Sequence, residues 1–148
     1  MGIWVYVGRE GFTPGEADYP SLAFDNGVPY VAYEDEAAGD KVTVMKYQDS
    51  SWVTVGKAGF SPGMAESTSL AIYDGTPYVA YRDQAMGEYV TVMKYTGSSW
   101  VMVGKEGFST GRARHILLMI HQGIPYVVYS DTSHGGKVTV MCYHRIAN

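Results

Sequence analysis

The chain of 148 residues has a single cysteine, Cys142, so an internal disulfide bond and a zinc site built from several cysteines are excluded. It has no run of about 18 apolar residues, the length that a membrane-spanning helix needs, and no membrane span is expected. The N-terminus lacks the basic segment and long apolar stretch of a secretory signal peptide. The net charge of −4 is opposite in sign to that of a typical nucleic-acid-binding surface, so no nucleic-acid partner is expected.

What the sequence does contain is an internal repeat. Trp4, Trp52 and Trp100 are 48 residues apart, and they begin three similar units that span residues 4–51, 52–99 and 100–148. About 29 of the 48 positions are identical between the first two units. The units follow one another with no linker between them, and 46% of the residues are hydrophobic, which suffices for a core. Residues 1–148 are therefore interpreted as a single repeat domain.

Each unit carries four strand patterns and no helical pattern. In the second unit the strands are predicted at Trp52–Gly56, Ser69–Tyr73, Thr76–Asp83 and Tyr89–Tyr95. The Asp74-Gly75 pair between two apolar runs predicts a tight hairpin, because a type I′ turn needs positive φ at both central residues. Asn26-Gly27 and Gln122-Gly123 occupy the same position in the other units, and a proline follows near the start of each next strand. Three units of four strands predict twelve short strands.

The strand patterns favour an all-β fold made of β-propeller blades. The run from Pro77 to Tyr81 is apolar on both alternating faces, whereas a strand with one wet face alternates between apolar and polar residues. Both faces of each sheet are therefore expected to be covered, as in a radial stack of four-stranded sheets. A β-solenoid and a β-sandwich are the alternatives.

Three blades cannot close a ring. The sequence also begins with the last strand of a blade and ends after the third strand of another. The blades are predicted at about residues 20–56, 68–104 and 116–143, which leaves Trp4–Gly8 as an unpaired outermost strand. We expect residues 4–8 of a neighbouring chain to complete the third blade. A homodimer then gives six blades and is favoured over a homotrimer with nine, since propellers usually have about 4–8 blades. The residues predicted at this oligomer interface are Trp4, Val5, Tyr6, Val7, Val138, Val140 and Cys142.

The distribution of charge agrees with such a pairing. The first unit carries 3 basic and 9 acidic residues, whereas the third carries 5 basic and 2 acidic residues. Attraction between an acidic first unit and a neighbour's basic third unit favours the correct register and the encounter of two chains. Screening by salt keeps this effect modest.

The repeat resembles a tandem repeat that is common in bacterial secreted and cell-surface proteins. The closest matches to its motif are Gly75–Tyr81, Thr91–Tyr95 and Gly97–Trp100. The resemblance implies a kelch-like or sialidase-like propeller and a secreted or cell-surface location, and it implies no catalytic residues. The third unit departs most from the pattern, with Cys142 in place of the usual lysine.

Two sets of residues recur on one expected face of the propeller and are candidates for ligand binding. They are Asp35, Asp83 and Asp131, and the aromatic residues Phe12, Phe60 and Phe108. Carboxylates beside aromatic rings suit sugar hydroxyls or a cation. The structural alternative is that each aspartate caps the turn that follows it and each phenylalanine fills a gap between blades.

The recurring tryptophans Trp4, Trp52 and Trp100 could likewise stack on sugars, although a packing role with a satisfied indole N–H is the alternative. All four histidines lie in the third unit. His115 and His121 would be about 20 Å apart along one strand, which is too far for a shared metal ion. No metal site, cofactor or catalytic residue is predicted.

These observations favour a non-enzymatic propeller that assembles with itself and displays a binding face for a glycan or protein ligand. A multivalent, lectin-like carbohydrate-binding propeller is the alternative, and a glycoside hydrolase-like enzyme is a weaker one. No nucleophile motif or phosphate-binding loop is present in the sequence. The identity of the ligand and the choice between dimer and trimer stay open at this point.

Overall fold

A computed structural model of the chain describes residues 1–146 and contains three antiparallel sheets. The strands are β1 (Ala17–Asp25), β2 (Val28–Asp35), β3 (Lys41–Gln48), β4 (Ser51–Thr54), β5 (Ala65–Tyr73), β6 (Thr76–Asp83), β7 (Tyr89–Tyr95), β8 (Trp100–Met102), β9 (Ala113–His121), β10 (Ile124–Asp131) and β11 (Lys137–Cys142). A single 3-10 turn follows the second strand of each sheet, at Glu36–Ala38, Gln84–Met86 and Thr132–His134. Every sheet is an up-and-down meander in sequence order.

The three sheets are propeller blades, which confirms the predicted fold class. Blade 1 is β1–β4, blade 2 is β5–β8, and blade 3 is β9–β11. The first strands of the blades pack against one another, β1 against β5 and β5 against β9, so these are the inner strands. Within residues 1–146 no helix is long and apolar enough to cross a membrane.

Two buried layers join the blades. The first lies between blades 1 and 2 and includes Val42, Val44 and Leu70, and the second lies between blades 2 and 3 and includes Val90, Val92 and Leu118. The middle sheet is therefore covered on both faces, which explains why its strands are apolar on both alternating sides.

The predicted hairpins are confirmed by the backbone angles. Asn26 and Gly27 have φ values of 47° and 81°, and Asp74 and Gly75 have values of 48° and 75°. Positive φ at both central residues is the signature of the type I′ turn, whose twist matches that of the flanking strands.

The inner strands begin earlier than the sequence predicts. The pattern puts the start of the inner strand of blade 2 at Ser69, but β5 begins at Ala65, because a β-bulge between Glu66 and Ser69 lets pairing continue past Ser67, which has a φ of 54°. The same bulge occurs in blade 1 at Tyr19 and in blade 3 at His115.

The count of twelve strands is wrong, because residues 1–146 form eleven. Residues 4–8 have no strand structure, and the third blade has three strands instead of four. A strand needs a hydrogen-bonded neighbour, and no sheet within the described residues pairs with residues 4–8. Completion of blade 3 by another chain stays a prediction.

Candidate functional site

The recurring aspartates are buried and bonded within their own blades. Asp35, Asp83 and Asp131 are 2%, 0% and 0% exposed. In blade 2, Thr91 Oγ1 donates to Asp83 Oδ2 at 2.7 Å and the Ala85 amide donates to Asp83 Oδ1 at 3.1 Å. Asp83 and Asp131 cap the turns that follow them, whereas the Asp35 side chain makes no such cap bond. A ligand-binding role for the three carboxylates stays a prediction.

The aspartates of blades 1 and 3 show how this capping varies. Thr43 Oγ1 donates to Asp35 Oδ2 at 2.7 Å, but Asp35 Oδ1 has no hydrogen-bond partner within residues 1–146. Hydrogen bonds from Ser133 and Thr139 lower the pKa of Asp131 to about 2. The His134 imidazole also lies 2.9 Å from Asp131 Oδ2.

The recurring aromatic residues form stacked pairs. Phe12 lies 4.2 Å from Trp52 and Phe60 lies 4.0 Å from Trp100, with nearly parallel rings in both pairs. Each of these indoles also donates its Nε1–H to a backbone carbonyl, Trp52 to Val7 at 2.9 Å and Trp100 to Val55 at 3.0 Å. These four rings are therefore used in packing. Phe60 and Trp100 pack between blades 1 and 2, and Phe12 and Trp52 join the leading segment to blade 1.

The third set of these aromatics is different. Phe108 is half-buried without a tryptophan partner within residues 1–146, and the Trp4 side chain is fully exposed. The predicted interface residues Val5, Tyr6, Val7, Val138 and Val140 are exposed as well.

A more promising site lies where the repeat departs from its own pattern. Glu34, Arg82 and Ser130 occupy the same place near the end of the second strand of each blade. In blade 2, Arg82 lies between two carboxylates, at 2.9 Å from Glu66 and 2.7 Å from Glu88. Its positive charge neutralises the acidic residues at that position.

In blade 1 the corresponding three positions are all acidic. Asp18 is the register partner of Glu34, as Glu66 is of Arg82, and Asp40 corresponds to Glu88. A glutamate thus stands where the second blade has the neutralising arginine. We call Asp18, Glu34, Asp40 and Glu66 the carboxylate cluster.

The electrostatic consequence is a raised pKa at Glu34. Partial burial raises the pKa of Glu34 to about 7, and the negative charges of Asp40, Asp18 and Glu66 raise it in that order of importance. At neutral pH the half-buried Glu34 carboxyl is therefore protonated in about half of the molecules, and it lies beside three other carboxyl groups. A proton donor next to other carboxyl groups is a combination that acid–base chemistry uses.

An aromatic side chain borders the cluster. Tyr19, on the bulge of β1, has a φ of 52° and is half exposed. The charge of Glu66 is the main cause that raises the pKa of its phenol. Positive φ is uncommon for a bulky residue, and here it places an accessible ring beside the carboxylates.

The cluster lies at the end of blade 1 where the inner strand begins and the second strand ends. Asp18 is exposed, and Glu34, Asp40 and Glu66 are half-buried, so the cluster is open to solvent. In the described part of the chain, no group of three or more His, Cys, Asp or Glu side chains is arranged to hold a metal ion.

Sequence reasoning misses this cluster because it searches for residues that recur in every unit. The signal is present in the aligned units, where Glu34, Arg82 and Ser130 differ in charge while the residues after them, Asp35, Asp83 and Asp131, are identical. The aspartates are identical in all three units, whereas the position before them, which includes Glu34 of the cluster, differs between the units.

Comparisons with known proteins bear on the fold. No protein-family model matches this chain, and no curated protein sequence matches it. Solved structures do match. The structure of YjhT is 22% identical, with 88% of this chain and 39% of that chain covered and a TM-score of 0.55.

Two glycoside hydrolase structures illustrate the other matches. Bacteroides ovatus Xyloglucan PUL GH43B is 16% identical, covers 91% of this chain and 29% of that chain, and gives a TM-score of 0.63. The exo-beta-1,3-galactanase from Phanerochaete chrysosporium is 13% identical, covers 94% and 42%, and gives a TM-score of 0.57. The chain spans less than half of the length of each of these three structures.

These neighbours correct the functional expectation. The similar structures are mostly glycoside hydrolases of the β-propeller type, which contradicts the interpretation of the chain as a non-enzymatic scaffold and the prediction that it is not an enzyme. The weaker alternative, a glycoside hydrolase-like protein, agrees better with them.

Proposed function

We propose that this chain forms part of a β-propeller glycoside hydrolase that cleaves neutral oligosaccharides. Glu34 is the general acid, and Asp18 is the second carboxylate that works with it. The observation that carries the proposal is the carboxylate cluster, in which the repeat replaces a neutralising arginine with a glutamate whose pKa is raised to about 7.

The chemistry of glycoside hydrolysis asks for such a pair. Protonated Glu34 gives its proton to the glycosidic oxygen as the bond to the anomeric carbon breaks. The second carboxylate, Asp18, stabilises the positive charge that develops on the sugar. A water molecule then supplies the hydroxyl group to the anomeric carbon, and its other proton goes to the Glu34 carboxylate. A general acid works best when its pKa lies near the working pH, as that of Glu34 does at neutral pH.

The charge of the site restricts the substrate class. Several carboxylates close together repel uronic acids, sialic acids and sulfated sugars. Neutral sugars are accepted, and the exposed ring of Tyr19 offers a surface on which a sugar ring stacks. The absence of a recurring arginine in the sequence also argues against the carboxylate recognition that sialidases need.

The neighbouring structures support the same substrate class. Besides the galactanase, they include an exo-1,5-alpha-L-arabinanase at 17% identity and an alpha-L-arabinofuranosidase from Clostridium thermocellum at 18% identity. Galactans and arabinans are neutral polysaccharides, as the carboxylate cluster requires.

The test is hydrolysis of a panel of neutral nitrophenyl glycosides, with arabinofuranoside, galactopyranoside and xylopyranoside included. We expect Glu34→Gln to lower kcat by about 100-fold or more, because loss of a general acid typically costs about 10²–10⁴-fold. Glu36→Gln, which removes an exposed carboxylate from the same blade, serves as the matched control and should retain most of the activity.

Two results would contradict the proposal. One is a wild-type protein that hydrolyses no member of the panel and no arabinan or galactan oligosaccharide. The other is a Glu34→Gln variant with the same kcat as wild type. Activity that declines as the pH rises through about 7, as Glu34 loses its proton, would support the assignment further.

The sequence motifs support two narrower proposals. The Gly75–Tyr81 and Thr91–Tyr95 motifs support membership of the secreted bacterial repeat family, with a kelch-like or sialidase-like propeller and a location outside the cytoplasm. The 48-residue period supports a single domain with repeat boundaries at residues 51 and 99.

A further inference from the structure

The outer edge of each blade has a binding site for a tryptophan, and the sites of blades 1 and 2 are filled from within the chain. In blade 2, Trp100 stacks on Phe60, lies at a tilt against Tyr95, and donates its indole N–H to the Val55 carbonyl. In blade 1 the same contacts are made by Trp52 with Phe12, Tyr47 and Val7. Gly56 and Gly8 leave the room that each indole needs.

The site of blade 3 has the same surroundings but no tryptophan. Phe108, Tyr143, Gly104 and the carbonyl of Val103 correspond to the groups that surround Trp100. They line a largely apolar cavity of about 200 Å³. The repeat position of Trp100 is an asparagine in the third unit, and the residue one full set of repeats earlier is Trp4. Trp4 itself is fully exposed.

The back face of blade 3 corresponds to a blade interface, and none of residues 1–146 packs over it. Val42 and Val90, which face the next blade in blades 1 and 2, are both 0% exposed, whereas the equivalent Val138 is 70% exposed. Val140 is 60% exposed in the same way. Exposed Leu117 and Met119 extend this apolar face along the inner strand.

The front face of blade 1 is the complementary surface. Leu70 and Leu118 face the preceding blade and are 6% and 2% exposed, but the equivalent Leu22 is 61% exposed. Phe24 beside it is also exposed. The hydrogen bond from Trp52 to the Val7 carbonyl holds Val7 against blade 1.

The backbone groups that join the blades recur at both of these faces. Between blades 1 and 2, the Phe60 amide donates to the Val42 carbonyl, and the Val42 amide donates to Ser61 Oγ. Between blades 2 and 3, the same two bonds link Phe108, Ser109 and Val90. Val138 offers the same amide and carbonyl at the free edge, and Phe12 and Thr13 offer the matching groups at the start of the chain.

We propose that a second copy of this chain docks its blade 1 on the back face of blade 3 and completes that blade with its residues 4–7. The register within blade 2 pairs Tyr95 with Trp100 and Lys94 with Val101. We call the contact between the two chains the seam. The equivalent pairs across it are Tyr143 with Trp4 and Cys142 with Val5. Two chains then form a six-bladed ring with two identical seams, and the Trp4 indole of each chain fills the empty cavity of the other.

The residues of the seam suit a second copy of this chain. The internal interfaces use small residues such as Ser69, whose Oγ accepts from the Leu118 amide, where blade 3 has Leu117. The seam therefore joins large apolar side chains on both sides, and it brings the acidic first unit against the basic third unit. This inference is independent of the proposed hydrolase activity, because the carboxylate cluster lies between blades 1 and 2 of one chain.

Disulfide trapping tests the register directly. Val5 is exposed and Cys142 is an exposed free thiol, so Val5→Cys should fold normally and place two thiols in directly opposed positions across the seam. Opposed residues in antiparallel strands have Cα atoms about 4.5–5.5 Å apart, within the range that a disulfide spans. Mild oxidation should give a covalent two-chain product.

The matched control is Tyr6→Cys, whose thiol would lie on the opposite side of the same strand. We expect it to cross-link about tenfold less than Val5→Cys, because side chains alternate between the faces of a strand. Equal cross-linking in the two variants, or none in either, would overturn the proposed pairing. A particle of three chains, measured by light scattering on the same samples, would overturn the six-bladed ring.

Discussion

At the scale of single residues, Glu34 shows how one substitution in a repeat can turn a structural position into a chemical one. The second blade places Arg82 between Glu66 and Glu88, and Arg112 lies 3.5 Å from Glu88, so two positive charges face two carboxylates. The first blade keeps the carboxylates and replaces the arginine, which costs stability, because a half-buried acid must stay protonated or bring another negative charge into the cluster. Such a cost without a packing benefit is typical of functional sites.

The first prediction concerns the pH dependence of stability. The pKa of Glu34 rises from 4.5 in the unfolded chain to about 7 in the folded protein, so between these values the folded state binds the extra proton. Wild-type stability should therefore fall as the pH rises from about 4.5 to about 7. At pH 8, Glu34→Gln should be more stable than wild type by about 1–2 kcal/mol, after allowance for solvent screening.

Chemical denaturation at pH 5 and pH 8 measures this difference. Asp49→Asn provides the control, because it removes an exposed carboxylate of the same blade at the turn between β3 and β4. A Glu34→Gln variant that is less stable than wild type at pH 8 would show that the glutamate is stabilising and would contradict the charge assignment.

The second prediction concerns the capping aspartates. Asp83→Ala should lower the free energy of unfolding by about 2–4 kcal/mol, because it leaves the Thr91 hydroxyl and the Ala85 amide without their acceptor. Asp35→Ala should cost about 1 kcal/mol less, since Asp35 Oδ1 accepts no hydrogen bond within residues 1–146. Urea denaturation of the two variants gives the comparison, and a larger loss for Asp35→Ala would contradict it.

At the scale of the elements, the sequence predicts most of the fold. The second and third strands of blade 2 have the predicted bounds, Thr76–Asp83 and Tyr89–Tyr95, because their apolar runs end at turn residues. The start of β5 is not predictable in this way, since a bulge at Ser67 leaves no pattern in a single sequence beyond a break in alternation. The carboxylate cluster is not predictable from the sequence for a related reason, because the bulge in the inner strand decides which side chains lie together.

The third prediction compares two glycines that both have positive φ. A Cβ added at Gly27, in a hairpin turn, would enter open space, so Gly27→Ala should cost about 1–2 kcal/mol from backbone strain alone. A Cβ at Gly56 would lie 2.7 Å from Tyr95 and 2.9 Å from Trp100. Gly56→Ala should therefore cost more than Gly27→Ala, by about 1–3 kcal/mol, because the tryptophan site must also rearrange.

Thermal or urea denaturation of the two glycine variants distinguishes strain from steric conflict. If both variants lose the same free energy of unfolding, the Trp100 site rearranges without a free-energy cost. The close packing around Trp100 would then not contribute to stability.

At the scale of the whole molecule, the three blades form an arc, and its two terminal faces resemble the faces that are buried between the blades. Both terminal faces carry apolar residues at positions that are buried between the internal blades. An exposed, unpaired strand edge beside an apolar face invites association, and the repeat supplies a self-complementary partner. The sequence repeat predicts this contact, because residues 4–8 correspond to the outer strand that blade 3 lacks. The exposed Trp4 and the cavity beside Phe108 indicate which residues meet across it.

The fourth prediction targets the seam without disturbing the single chain. Val140 is 60% exposed, so Val140→Asp should leave the circular dichroism spectrum of the blades unchanged. The buried charge should nevertheless abolish assembly, because an unpaired carboxylate cannot enter an apolar interface without a large desolvation cost. Val53→Asp, at an exposed valine of β4 away from the seam, should assemble as wild type does. Assembly of Val140→Asp at wild-type strength would contradict the seam.

The most direct test of the arc-and-seam account is the mass of the unmodified protein in solution. Sedimentation equilibrium at micromolar concentration should give a single species with twice the chain mass of 16.2 kDa. A species of one chain mass that persists at high concentration would contradict the account.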